Sequence, residues 1–101
     1  MAKYHLTYTG GRTPETQEEQ AAVMQAWESW FADLGDAVVD GGSPLGPVQT
    51  IDPGGALRDG GAVSGYSIIA ADDLSDAVTN AKGCPILTDG GTVEVGECVE
   101  M

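Results

Sequence analysis

The stretch GYSIIAADDLSDAVTNAKGCP, residues 65–85, constrains this chain more than any other part of it. Its first seven residues hold too few polar side chains for a strand with one wet face, so they predict a strand in the middle of a sheet. Asp72 or Asp73 then offers a helix N-cap, and Leu74, Ala77, Val78 and Ala81 recur at helical spacing. Lys82, Gly83 and Pro85 stop that helix, and TVEVGECV, residues 92–99, reads as a last strand. A chain that ends strand, helix, strand has a sheet to complete, and the upstream half must supply the rest.

It does so in the same order. KYHLTYT, residues 3–9, alternates Tyr4, Leu6 and Tyr8 against His5, Thr7 and Thr9, which predicts the first strand. Thr13 or Thr16 caps a helix, with Pro14 suited to its first turn and Thr16 with Glu19 forming a capping box. Glu15, Glu18 and Glu19 stand where the helix dipole favours negative charge. Val23, Trp27, Trp30 and Leu34 draw an apolar stripe with Ala26 and Phe31 beside it, and Gly35 ends the helix. Ala37, Val38 and Val39 predict a short second strand running into DGGSPLGP. Between Asp40 and Gly65 the chain is rich in Gly and Pro. There VQTI, residues 48–51, can continue the second strand after a bulge, and ALRDGGAV can close a small hairpin.

The expected order is therefore β-α-β-β-α-β, an α+β ferredoxin-like arrangement in a single domain spanning residues 1–101. Two helices cover one face of a four-stranded antiparallel sheet. The other face needs cover, because an open apolar sheet face invites association. Pairing two such faces makes a homodimer, a dimeric α/β barrel with a cavity between the sheets or beside the first helix.

Sixteen acidic residues against four basic ones give a net charge of −12, which argues against nucleic acid and against anionic membrane surfaces. No run approaches the ~18 apolar residues of a membrane-spanning helix, and MAKYHLTYTGG lacks the pattern of a signal peptide, so a cytoplasmic protein is expected. Cys84 and Cys98 have no metal-like spacing and read as reduced, buried, small hydrophobes. The glycines form neither a Walker pattern nor a GxGxxG, and a lone histidine supports no Ser–His–Asp scheme. Chemistry without a cofactor, or plain binding, is left.

GYSIIAADDLSDAVTNAKGCP followed by GGTVEV resembles the C-terminal half of the YCII-related (DGPF-type) domains. AAVMQAWESWFADLGDAVVDGGSPLGP resembles the helix-to-second-strand segment of one branch of that family, and with KYHLTY the resemblance spans nearly the whole chain. It implies the ferredoxin-like fold, the dimeric barrel and a small pocket. The better-studied branch of the family carries a His on the first helix near an Asp at the end of the second strand, read as an acid–base pair. One relative with this domain eliminates chloride from an aromatic ring compound. This chain departs from the pattern, since no histidine occurs between Thr13 and Asp40, where Met24, Trp27 and Trp30 stand instead. Asp40, just before GGSP, matches the acidic position. Asp59 and Gly60 survive from the DGPF stretch, but Gly61 and Ala62 replace its Pro and Phe.

Two function classes follow. In the first, a binding or accessory module keeps the fold without the dyad and takes a small organic molecule. In the second, a cofactor-free lyase or isomerase uses Asp40 and His5 as its proton carriers, with Trp27, Ser43 and Tyr66 lining the ligand site. Each residue has a plainer role beside the functional one: His5 as a hydrogen-bonded sheet histidine, Asp40 as the cap of the GGSP turn, Trp27 as core. Tyr66 either lines a pocket or packs under the first helix. The pocket is expected where the first helix crosses the end of the second strand, with Asp40 and Ser43 as its polar part.

Overall fold

A computed structural model of the chain describes residues 1–100, and in it the alternating N-terminal segment forms strand β1 (Ala2–Thr9). Then follow α1 (Gln17–Leu34), β2 (Val38–Pro44), β3 (Gln49–Ile51), β4 (Leu57–Asp59), β5 (Val63–Ala71), α2 (Leu74–Ala81) and β6 (Thr92–Glu97). The main sheet has the order β2-β5-β1-β6, each neighbouring pair antiparallel. The chain is thus α+β, with two helices and an antiparallel sheet, an order compatible with the ferredoxin-like arrangement. As expected, GYSIIAA lies inside the sheet, in β5 between β1 and β2.

Both helices pack on one face of that sheet. Tyr4, Leu6 and Tyr8 of β1 and Ile69 and Ala71 of β5 are buried with Trp30 of α1 and Ala77 and Ala81 of α2. The Trp30 indole N–H donates to the Asn80 carbonyl at 3.1 Å, which ties α1 to α2 and satisfies a donor that burial would otherwise strand. Thr16, not Thr13, caps α1, its hydroxyl accepting from the Glu19 N–H at 3.1 Å. The return arm of the expected capping box is displaced, because the Glu19 carboxylate accepts from the Glu15 N–H at 2.9 Å. Pro14 lies ahead of the helix rather than in its first turn. Leu74, expected in the α2 stripe, is half-exposed, because only Ala77 and Ala81 of that helix reach the core.

The Gly- and Pro-rich middle departs most from the sequence reading. Ala37 belongs to a short 3-10 turn over Gly35–Ala37, and the second strand begins at Val38 and runs through Asp40, Gly41, Gly42 and Ser43 to Pro44. VQTI does not continue that strand, and ALRDGGAV does not fold on itself. Instead β3 pairs antiparallel with β4 in a separate two-stranded sheet. The turn between them is closed by Asp52 and Ala56, the N–H of Asp52 donating to the Ala56 carbonyl at 2.8 Å. The last strand stops at Glu97, so Cys98 is exposed rather than buried, while Cys84 is buried as expected. Among the described residues, no helix is long and apolar enough to cross a membrane.

Candidate functional site

A cavity of about 560 Å³ opens between α1 and the end of the sheet where β2 meets β5. Val23, Met24, Trp27 and Phe31 of α1 form its apolar wall, opposite the Gly41–Pro44 part of β2. The stripe of α1 therefore serves both core and cavity. The Trp27 ring meets Tyr8 edge-on at 5.1 Å between centroids and also leans on Trp30 and Phe31, so it is held in place from three sides.

The floor is polar and already committed. The Tyr8 hydroxyl donates to Ser67 Oγ at 2.8 Å, and the Ser67 hydroxyl donates to the Gly41 carbonyl at 2.8 Å. Burial pushes the Tyr8 phenol well above the usual tyrosine range and raises the neighbouring Cys84 thiol from 9.0 to about 11. Both stay protonated at neutral pH. Ser64 also lines the cavity, but its hydroxyl is buried and has no hydrogen-bond partner among the described residues. Of the charged residues that line the cavity, Glu28 and Asp89 outnumber Arg12, so the lining carries more negative than positive charge.

One backbone contact shapes this wall. Gly42 has φ of +72°, and a Cβ added there would sit 1.7 Å from the Tyr66 carbonyl oxygen. Only glycine allows the two strands to come so close.

The expected site residues fall on two sides of the sheet. Trp27, Ser43 and Tyr66 all line the cavity, but the Tyr66 ring lies on the opposite face and Ser43, its register partner, shares that face, so both line it through their main chain. There it stacks on His5, with centroids 5.6 Å apart and planes 4° from parallel, and its hydroxyl donates to Asp40 Oδ2 at 3.2 Å. The ring is thus not packed under α1. The Asp40 charge raises the Tyr66 phenol above its ordinary value, since an anion beside a phenol opposes its ionisation. Asp40 does not line the cavity. Its other oxygen, Oδ1, accepts from the Gly42 N–H at 2.8 Å, which is the turn-capping role weighed for it above. His5 Nδ1 is 3.1 Å from the Thr7 hydroxyl. Among the described residues His5 and Asp40 share no hydrogen bond, and Tyr66 stands between them.

The bulge in β2 explains the split. Val38 pairs with Ile69 on the helix-covered face, whereas Asp40 pairs with Ile68 on the open one. Two residues apart on a regular strand would share a face, and the register shift between them breaks that rule. Sequence reasoning missed Tyr8 and Ser67 as site residues. The signal was present in the parity of their strands, which places Tyr8 with Leu6 and Ser67 with Ile69.

Among the described residues no group of three or more His, Cys, Asp or Glu side chains is placed to hold a metal ion. No protein-family model, curated protein or solved structure matches the chain.

Proposed function

We propose that this chain is a small-molecule-binding module of the YCII-like kind, a ferredoxin-like domain that pairs through its open sheet face into a dimeric α/β barrel. One observation carries the binding reading: the apolar cavity and the two titratable candidates are on opposite faces of the sheet. A ligand against Trp27 is out of reach of the Asp40 and His5 side chains, so the cavity binds without acid–base chemistry from that pair. Its form suits the role, since small-ligand sites are mostly apolar with a few placed polar groups.

The chemistry of the walls narrows the ligand. The Tyr8 and Ser67 hydroxyls donate to Ser67 and to the Gly41 carbonyl, and the two residues are buried, so the floor is a closed polar pair and a ligand meets mainly the apolar wall. The acidic lining disfavours an anion. A small uncharged aromatic molecule fits both conditions. The reduced thiols of Cys84 and Cys98 suit a cytoplasmic setting.

Phenol, aniline, toluene and benzoate, titrated with chemical-shift mapping and tryptophan fluorescence, test this reading. Phenol, aniline or toluene is expected to shift Trp27, Tyr8 and Ser43, and Trp27→Ala to weaken binding at least tenfold. No binding by any probe, or shifts confined to residues 72–82, would overturn it.

A second reading, a cofactor-free lyase or isomerase, rests on the open-face run Asp40–Tyr66–His5. Held on one face by the same tyrosine, Asp40 and His5 would act as separate acid and base on a substrate held in the barrel interior. Turnover abolished by both His5→Gln and Tyr66→Phe, with cavity binding unchanged, would move the assignment to this reading.

A further inference from the structure

The β3–β4 ribbon is well made locally yet leans on no other strand. Its register sets Gln49 against Asp59, Thr50 against Arg58 and Ile51 against Leu57. The Arg58 Nε donates to both Asp52 carboxylate oxygens at 3.0 Å, and the Gly60 N–H closes the root on the Val48 carbonyl at 2.7 Å. These bonds fix the shape of the ribbon but bury little. An isolated two-stranded ribbon is marginal in water and needs a surface to lie on. Beside the turn it presents an apolar pair: Ile51 and Leu57, directly opposite each other, are 69% and 63% exposed. Leu45 and Val63 at its root are exposed as well.

The dimensions say how much surface is uncovered. The chain spans 43 × 40 × 18 Å with a radius of gyration of 14.8 Å, against about 13 Å for a compact domain of this length. Its accessible surface is 6917 Å², whereas a compact monomer of its mass exposes about 5,400 Å². The excess, roughly 1,500 Å², exceeds the ~800 Å² that each partner buries in a standard interface.

Charge decides what can lie there. Six acidic residues and no basic one fall between Glu15 and Asp36, and three more between Asp72 and Asp76, so the helix side of one copy repels that of another. The ribbon instead pairs its Arg58 with Asp52, and its end pair is neutral. A second copy of a chain with net charge −12 meets least repulsion on the sheet side.

We propose that the β3–β4 ribbon is an arm that docks on a second copy of this chain, with Ile51 and Leu57 packing at the edge of the partner's open sheet face. The proposal rests on the sheet-pairing part of the function proposed above. In a two-fold dimer the arms exchange reciprocally, so every arm contact is made twice.

The double variant Ile51→Ser/Leu57→Ser tests it by analytical ultracentrifugation, beside the wild type and Leu74→Ser, which alters a side chain 50% exposed on α2. The wild type and Leu74→Ser are expected to be dimers at micromolar concentration, and the arm variant to dissociate at least about thirtyfold more readily. A mixed labelled and unlabelled wild-type dimer should show intermolecular NOEs from the Ile51 and Leu57 methyls to Ile68 or its neighbours. That measurement does not depend on the folding of any variant. A wild-type dimer that the arm substitutions leave equally tight, and that lacks those NOEs, would overturn the arm while leaving sheet pairing in place. A wild-type monomer would overturn both. Monomers carrying a different bound protein on the arm would assign the surface to another partner and overturn the second copy.

Discussion

On β1, Tyr4, Leu6 and Tyr8 lie buried beneath the helices while His5, Thr7 and Thr9 of the same strand stay half-exposed. Strand β5 repeats the contrast, with Ser67, Ile69 and Ala71 buried and Tyr66, Ile68 and Ala70 half-exposed. Each face holds a tyrosine whose hydroxyl makes a hydrogen bond, Tyr8 to Ser67 on the covered face and Tyr66 to Asp40 on the open one. The phenol of Tyr8 is shifted upward mainly by burial, that of Tyr66 mainly by a neighbouring charge. The covered face keeps its groups neutral by excluding water, and the open face keeps a charge wet beside a ring. One sheet thus has a mostly apolar cavity on its covered side and a cluster of polar side chains on its open side, and the two do not meet.

The largest expected effect breaks both faces at once. Gly42→Ala places a Cβ 1.7 Å from the Tyr66 carbonyl at a φ of +72°. It should cost about 3–4 kcal/mol, from the left-handed backbone and a clash with main chain that cannot rotate away. Chemical denaturation measures it. A loss under 1 kcal/mol would mean that β2 can stand off from β5 and that the cavity wall is loosely set.

Alkali sharpens the contrast next. A thiol in the unfolded chain ionises near 9.0, while buried Cys84 holds its proton to about 11. Between those values unfolding releases a proton, so stability falls as pH rises, by about 2–3 kcal/mol when pH reaches 11. Tyr8, raised in the same sense, adds to the loss above pH 10. Urea midpoints at pH 8 and pH 10.5 should therefore differ, and Cys84→Ala should remove the earlier part of the decline. Equal midpoints would show that the covered face is not dry.

The smallest effect comes from making one chemical change on each face. Tyr8→Phe removes a buried hydroxyl and should cost about 1 kcal/mol, whereas Tyr66→Phe removes an exposed one and should cost measurably less. Equal costs would mean that the open face is as well covered as the other, as a paired sheet would make it. Repeating the pair over a range of protein concentrations separates these cases.

Much of this molecule is written in short-range patterns. The alternation of Tyr4, Leu6 and Tyr8 fixes which face of β1 is buried, and Thr16 and Asp73 cap the two helices as their side chains allow. Trp27 reaches the cavity together with Val23 and Phe31, one helical turn to either side of it on the same stripe. These features depend on residues a turn or a pleat apart, so the sequence alone carried them. What it could not carry is the partner of each segment between Val38 and Val63. Whether VQTI extends β2 or pairs with LRD depends on hydrogen bonds between distant segments and on the competition among them, and local composition is silent about both. Asp40 is the sharpest case. Counting by twos from Val38 puts it on the helix side with Trp27, yet the bulge turns it to the open face with Tyr66 and His5. The residue types were legible from the start; which side of the sheet each one served was decided by a register shift that only the paired strands could impose.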